Sequence, residues 1–204
     1  MMHRRRFLAV LAAPLLAGPV GAEDKVLPEA PDAETPPSRR FMMQDVNGEV
    51  VTDENLLGRF SLIYFGYTSC PEVCPTSLLT MANALKALGA KADRVLPLFV
   101  TVDPARDTAK MLSEYTQSFD ERIVALRGTK PYTDDMVKAY NAKYEVKPGD
   151  PADPTRYTID HTASIALVGP DGVLIKRYPY GTKAEDMAAD LGKMPHLLIA
   201  GATG

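Results

Sequence analysis

Two cysteines and three histidines carry most of the metal and redox chemistry open to this chain of 204 residues. Cys70 and Cys74 stand in the stretch FGYTSCPEVCPTSL, four residues apart, each followed by proline. As a structural staple the pair is poorly placed. A disulfide stabilises more as the loop it closes lengthens, and this loop is very short in a chain long enough to bury its own core. Reactivity is the better reading. The pair sits where a helix is expected to begin, and the unpaired N–H groups and partial positive charge of a helix start lower the pKa of a nearby thiol. A thiolate exchanges disulfides and binds soft metals alike, so spacing alone leaves redox and metal work both open.

Familiar redox patterns do not fit. A thioredoxin carries C-x-x-C, usually after tryptophan; here the spacing is C-x-x-x-C and the chain has no tryptophan. A peroxiredoxin carries P-x-x-x-[TS]-x-x-C. Counting back from Cys70 places Tyr67 and Ile63 at the Thr/Ser and Pro positions, and counting back from Cys74 places Pro71 at the Thr/Ser position. For a metal, two thiolates on one turn can converge on a soft ion such as Cu(I), but they do not fill a zinc or Cu(II) site. A third ligand must come from elsewhere. His3 lies in the N-terminal leader and His196 in the C-terminal tail. His161, in YTIDHTASIALV, directly precedes an apolar run that reads as a central strand.

The elements that would position these residues follow from hydropathy patterning. FMMQDVNGEVVTDE reads as a hairpin turning at Asn47-Gly48. SLIYFGY is a continuous apolar run of strand length, expected to be buried on both faces. PTSLLTMANALKALG has helical spacing and ends at Gly89, with Pro75 suited to a first turn. RVLPLFVTVD is a second strand, and DTAKMLSEYTQSF a helix expected to turn Met111, Tyr115 and Phe119 to one face. IVAL is a short strand and TDDMVKAYNAKYEV a helix from about Thr133. Residues 147–160 read as a long polar loop. TASIALVGPDGVLIKRYPY is a hairpin turning at Pro170-Asp171-Gly172, and a last helix spans about Lys183 to Leu191. This order predicts an α/β sandwich with a mixed central sheet flanked by helices and an N-terminal hairpin extension. A cysteine pair after the first buried strand, at a helix start, is the thioredoxin arrangement, and in that fold the loop entering His161's strand faces the cysteines.

Composition and the chain's ends bound the setting. A net charge of -3 supplies no basic field for nucleic acid. Residues 1–22 have a basic start (Arg4, Arg5, Arg6), an apolar run from Phe7 to Ala17 and small residues ending at Ala22. That is the layout of an export signal, and R-R-x-F-L also fits a twin-arginine signal. The apolar run is shorter than the roughly 20 residues of a membrane span. Residues 23–40, rich in proline and charge, read as a linker, residues 41–194 as the folded domain and 195–204 as a tail. The expected location is the bacterial periplasm, where oxidation permits a disulfide, with membrane contact only through the N-terminal segment if it is retained.

Four stretches, in order, then carry a resemblance. VTDENLLGR precedes the first core strand. YFGYTSCPEVCP matches F-G-[FY]-T-x-C-P-[DE]-x-C-P, with Glu72 where aspartate is common. VTVDPARDT matches V-[ST]-[VL]-D-P-x-R-D-T, and IDHTASIALVGPDG matches D-H-[ST] with its following hairpin. Over about Phe41 to Leu191 the chain resembles the Sco/SenC family, copper-binding thioredoxin-like proteins that assist assembly of the dinuclear copper centre of cytochrome c oxidase. The resemblance implies Cys70, Cys74 and His161 as copper ligands, Cys70 and Cys74 as a redox-active pair, and Asp103 near the site. Asp160 is a further candidate, to hold the His161 ring by a hydrogen bond. It implies a metallochaperone for copper, with the copper-bearing oxidase subunit as partner and another periplasmic copper chaperone or a thioredoxin-like reductant as a further one. Family members are often tethered by a membrane helix or a lipidated cysteine. This chain offers neither and is expected to be soluble or weakly anchored. The alternatives are a thiol-disulfide reductase that needs the cysteines but not His161, a redox or copper sensor, and a thiol peroxidase.

Overall fold

A computed structural model describes residues 40–149, 151–153 and 155–194. The expected leader, all of the linker except Arg40, and the tail lie outside the described residues, as do His3 and His196.

The N-terminal hairpin forms as read: β1 (Met42–Asp45) pairs antiparallel with β2 (Val50–Thr52). The apolar run becomes β3 (Phe60–Gly66), in which all seven residues are buried. It feeds α1 (Val73–Leu88), whose buried residues Cys74, Ser77, Leu78, Met81 and Leu85 recur at helical spacing along one face. Pro75 stands in the first turn, where its missing N–H removes no helical bond. Gly89 ends the helix at φ +57°, which favours glycine. The chain continues through β4 (Val95–Thr101), α2 (Ala109–Gln117), β5 (Val124–Arg127) and α3 (Lys130–Ala139). Then come β6 (Tyr144–Lys147), β7 (Thr158–His161), β8 (Ile165–Val168), β9 (Leu174–Tyr178) and α4 (Ala184–Gly192).

Seven strands form one sheet in the order β2-β1-β5-β4-β3-β8-β9. The sheet is mixed, as expected: β3 runs parallel to β4 and antiparallel to β8, and β4 runs parallel to β5. Parallel central strands covered on both faces require near-continuous apolar sequence, which β3 and β4 supply. Helices α1 and α4 pack together, α2 lies on β5 and α3 on β1. No helix among the described residues is long and apolar enough to cross a membrane.

Three local readings need correction. The helix expected from Thr133 to Val146 starts earlier, at Lys130, and stops at Ala139. Asn141 takes φ +51°, a left-handed conformation that asparagine tolerates and a helix interior does not. The residues beyond it form β6, which pairs antiparallel with β7 in a separate two-stranded ribbon. The end of the expected polar loop is therefore strand, and His161 closes that strand. On α2 the buried face is Leu112 and Thr116, with Tyr115 and Phe119 partly buried, while Met111 is exposed.

Candidate metal centre

The structure brings Cys70, Cys74 and His161 together. Their ligand atoms all lie within 4.8 Å of one another. His161 Nε2 is 3.3 Å from Cys74 Sγ and 4.0 Å from Cys70 Sγ. Neither cysteine is bridged. Cys70 lies in the turn between β3 and α1, where its N–H donates to the Tyr67 carbonyl oxygen, and Cys74 is the second residue of α1.

The two thiols are unequal. Cys74 is fully buried, whereas Cys70 retains slight exposure. A hydrogen bond from Cys74, helped by His161 and by N–H groups at the start of α1, holds the Cys70 thiol down to about 3. Giving that hydrogen bond, together with burial, pushes the Cys74 thiol far up. The pair therefore shares one proton, with Cys70 the thiolate.

The His161 ring is fixed from several sides. The rings of Tyr64 and Tyr67 meet it edge-on at 5.9 and 5.8 Å. Its Nδ1 lies 3.2 Å from the Thr162 carbonyl oxygen. With its proton on Nδ1, donated there, the ring would offer the Nε2 lone pair to a bound ion; with the proton on Nε2 it donates toward the Cys70 thiolate of the metal-free protein. Two thiols and an imidazole, largely shielded from water, are a donor set suited to a soft metal ion.

The SCO1/SenC family model matches residues 29–196. The chain belongs to the SCO1/SenC family. It is 35% identical over 147 residues to a SCO2-like protein of Rickettsia conorii, covering 72% of this chain and 71% of that one. A solved structure described as Bradyrhizobium japonicum ScoI with copper bound has 39% identity and a TM-score of 0.68, covering 74% of this chain and 95% of the other. BsSco, described as a member of the Sco family of cytochrome c oxidase assembly proteins with a disulfide switch, has 25% identity and a TM-score of 0.58, over 74% and 89% of the two chains. The SCO1/SenC chain thus has the thioredoxin-like fold expected of it.

The other expected site residues fare differently. Asp103 is buried and its carboxylate oxygens take the Arg106 Nε–H and the Tyr157 hydroxyl at 2.6 Å. It is joined to Arg106, whose guanidinium faces the Tyr67 ring, and is not part of the three-residue cluster. Asp160 does not hold the imidazole. Successive residues of a strand face opposite ways, and Asp160 is exposed beside Lys147 at 3.8 Å while the Thr162 carbonyl faces Nδ1.

Sequence reasoning passed over Asp107. It is fully buried in this SCO1/SenC chain and accepts from the Thr68 N–H at 3.1 Å, the Thr68 hydroxyl at 2.6 Å and the Thr101 hydroxyl at 2.5 Å. It ties the turn carrying Cys70 to the end of β4. Thr108, not Asp107, caps α2 by accepting from the Met111 N–H. In sequence, an aspartate before a helix reads as a cap, and the VTVDPARDT motif was the available signal.

Proposed function

We propose that this protein carries copper on Cys70, Cys74 and His161 and serves assembly of the copper centre of cytochrome c oxidase. The observation carrying this reading is the convergence of two thiols and one imidazole nitrogen within 4.8 Å, from parts of the chain far apart in sequence. Membership in a family whose solved members include copper-bound forms supports the choice of metal. Cu(I) suits the two sulfurs, and Cu(II) would need an added oxygen or water ligand. Both cysteines must be deprotonated to bind, so metal loading releases the proton that Cys74 keeps in the free protein. Oxidation of the pair to a disulfide withdraws both thiolates and expels the ion. The export signal read in residues 1–22 would place this chemistry outside the cytoplasm.

A second reading, thiol-disulfide reduction of a partner's cysteines, is favoured by the unequal pair. Cys70, ionised and the more accessible, would attack a partner disulfide, and Cys74 would resolve the mixed disulfide, leaving the partner's two thiols reduced and this pair oxidised. Titrating reduced protein with Cu(I) decides first: one-to-one binding lost in Cys70→Ser and in Cys74→Ser is expected, and binding that persists in Cys70→Ser would sink the copper scheme. An oxidase-assembly assay then separates the readings. Loss of function in His161→Ala favours copper delivery, and full function favours reduction.

A further inference from the structure

The three clustered side chains do not sit on one sheet. Cys70 and Cys74 lie between the central strand β3 and α1, whereas His161 ends β7, which pairs with β6 in a ribbon outside the seven-stranded sheet. Among the described residues no backbone ladder joins that ribbon to the sheet. Side chains make the attachment. Arg106, in the turn between β4 and α2, donates through Nη1 to the carbonyl oxygens of Thr155 (3.3 Å) and Tyr157 (3.0 Å), just ahead of β7. Its Nε–H goes to Asp103, and the Tyr157 hydroxyl closes the ring by donating to the other Asp103 oxygen. The Ile159 N–H, within β7, points at the Tyr67 hydroxyl at 3.4 Å.

Planar groups make contact in succession between Arg106 and His161. The Arg106 guanidinium lies 3.6 Å from the Tyr157 ring centre and 5.7 Å from that of Tyr67. Tyr67 in turn meets the His161 ring edge-on, as Tyr64 does. A guanidinium suits this place because its planar fork bonds one carboxylate and two carbonyls while stacking on aromatic faces. A lysine offers one compact ammonium and no plane.

We propose that Arg106, with Asp103 and Tyr157, is a latch that sets the position of His161 against the two sulfurs, so that the imidazole can join or leave the bound metal while the cysteines retain it. Arg106 is a positioning residue: it touches the ribbon and Tyr67, not the metal. The inference rests on the copper reading above.

The test uses the full chain, reduced, with Cu(I) affinity measured by competition against a chromophoric chelator. Imidazole ligation is read from nitrogen hyperfine coupling of the Cu(II) form. Arg106→Lys and Tyr157→Phe are each expected to weaken copper binding by about 10-fold or more, as loss of an outer-shell partner does, and to diminish the nitrogen coupling. Both should have no further effect in a His161→Ala background, and the thiol-disulfide midpoint potential should stay at the wild-type value. Tyr157→Phe keeps the ring stack and carries the test if Arg106→Lys does not fold. Wild-type affinity and coupling in the folded variants would overturn the latch, as would equal weakening with and without His161, which would mark a general loss of structure. If the wild-type chain itself fails to bind copper one-to-one, the copper reading falls and the latch with it.

Discussion

His161 Nε2 and Cys74 Sγ lie 3.3 Å apart although 87 positions separate them in the chain. The contact joins two separately hydrogen-bonded parts of one compact unit, the central strand with its helix and the β6–β7 ribbon. That division makes the imidazole and thiol contributions separable by experiment. His161→Ala should lower Cu(I) affinity at least as much as loss of an outer-shell partner, roughly 10–100-fold, while leaving the cysteines able to form a disulfide. Chelator competition and a glutathione redox titration measure the two effects. A variant that loses both together would show that His161 supports the fold of the cysteine turn rather than acting as a ligand.

The unequal thiols predict selective, pH-tolerant reactivity. In reduced, metal-free protein, iodoacetamide should label Cys70 well before Cys74, and its rate should stay nearly flat from pH 8 to about pH 5, since the Cys70 thiol is held near 3 against an ordinary value of 9.0. Between those values the unfolded chain binds the extra proton. The reduced form therefore gains stability as pH rises through this window and loses it as pH falls through the folded Cys70 value. Cys74→Ala removes the principal hydrogen bond to Cys70 and should return its labelling midpoint upward. An unchanged midpoint in that variant would assign the effect to His161 and the helix start instead.

Much of this arrangement was legible in the sequence, for identifiable reasons. The run from Phe60 to Gly66 is apolar but for Ser61 because both faces of β3 are covered, and the spacing from Cys74 to Leu85 is helical because one face is. The ribbon was not legible. In β6 and β7 only Ile159 is fully buried, so their sequences resemble a polar loop, and the helical spacing ahead of Tyr144 runs on past the break at Asn141. Asp160 drew attention by adjacency to His161, yet strand geometry turns it away. Asp107 and Arg106 escaped notice as ligand neighbours because their partners, Thr68 and the residues before β7, are distant in the chain.

Asp107 should matter to the fold more than its place beside a helix suggests. Replacing it with asparagine leaves one side-chain acceptor oxygen for donors from Thr68 and Thr101, and an unmet buried donor costs about 1–3 kcal/mol. A loss of roughly 2 kcal/mol in urea denaturation at pH 7 is the expected result. The pH dependence should change too. Burial raises the Asp107 carboxyl above its ordinary value of 3.8, so its contribution is complete below the unfolded value and lost as pH rises through the folded one. The Asp107→Asn protein lacks this term, and its deficit relative to wild type should widen toward acid. A deficit that narrows on acidification would mean that the hydrogen bonds from Thr68 and Thr101, which favour the carboxylate, outweigh burial.

Gly66 tests whether the thiol site tolerates any change in its floor. It ends β3 directly beneath Cys74, and a Cβ added there would stand 2.7 Å from Cys74 Sγ, 3.0 Å from a Phe99 ring carbon and 3.1 Å from a Tyr64 ring carbon. None of the three can yield easily. Phe99 and Tyr64 are fully buried and their rings pack on each other at 6.3 Å, and Cys74 is fixed in the first turn of α1. Close-packed interiors answer an added methyl group with shifted side chains at about 1–3 kcal/mol. Gly66→Ala should therefore lower stability by that amount. It should weaken copper binding further than the stability loss alone explains, because the nearest atom to yield is the sulfur and Tyr64 also backs the His161 ring. Thermal unfolding of the reduced, metal-free protein and Cu(I) competition on the same preparation separate these effects. An alanine variant with reduced stability and wild-type copper affinity would mean that the sulfur keeps its place and Phe99 or Tyr64 moves instead.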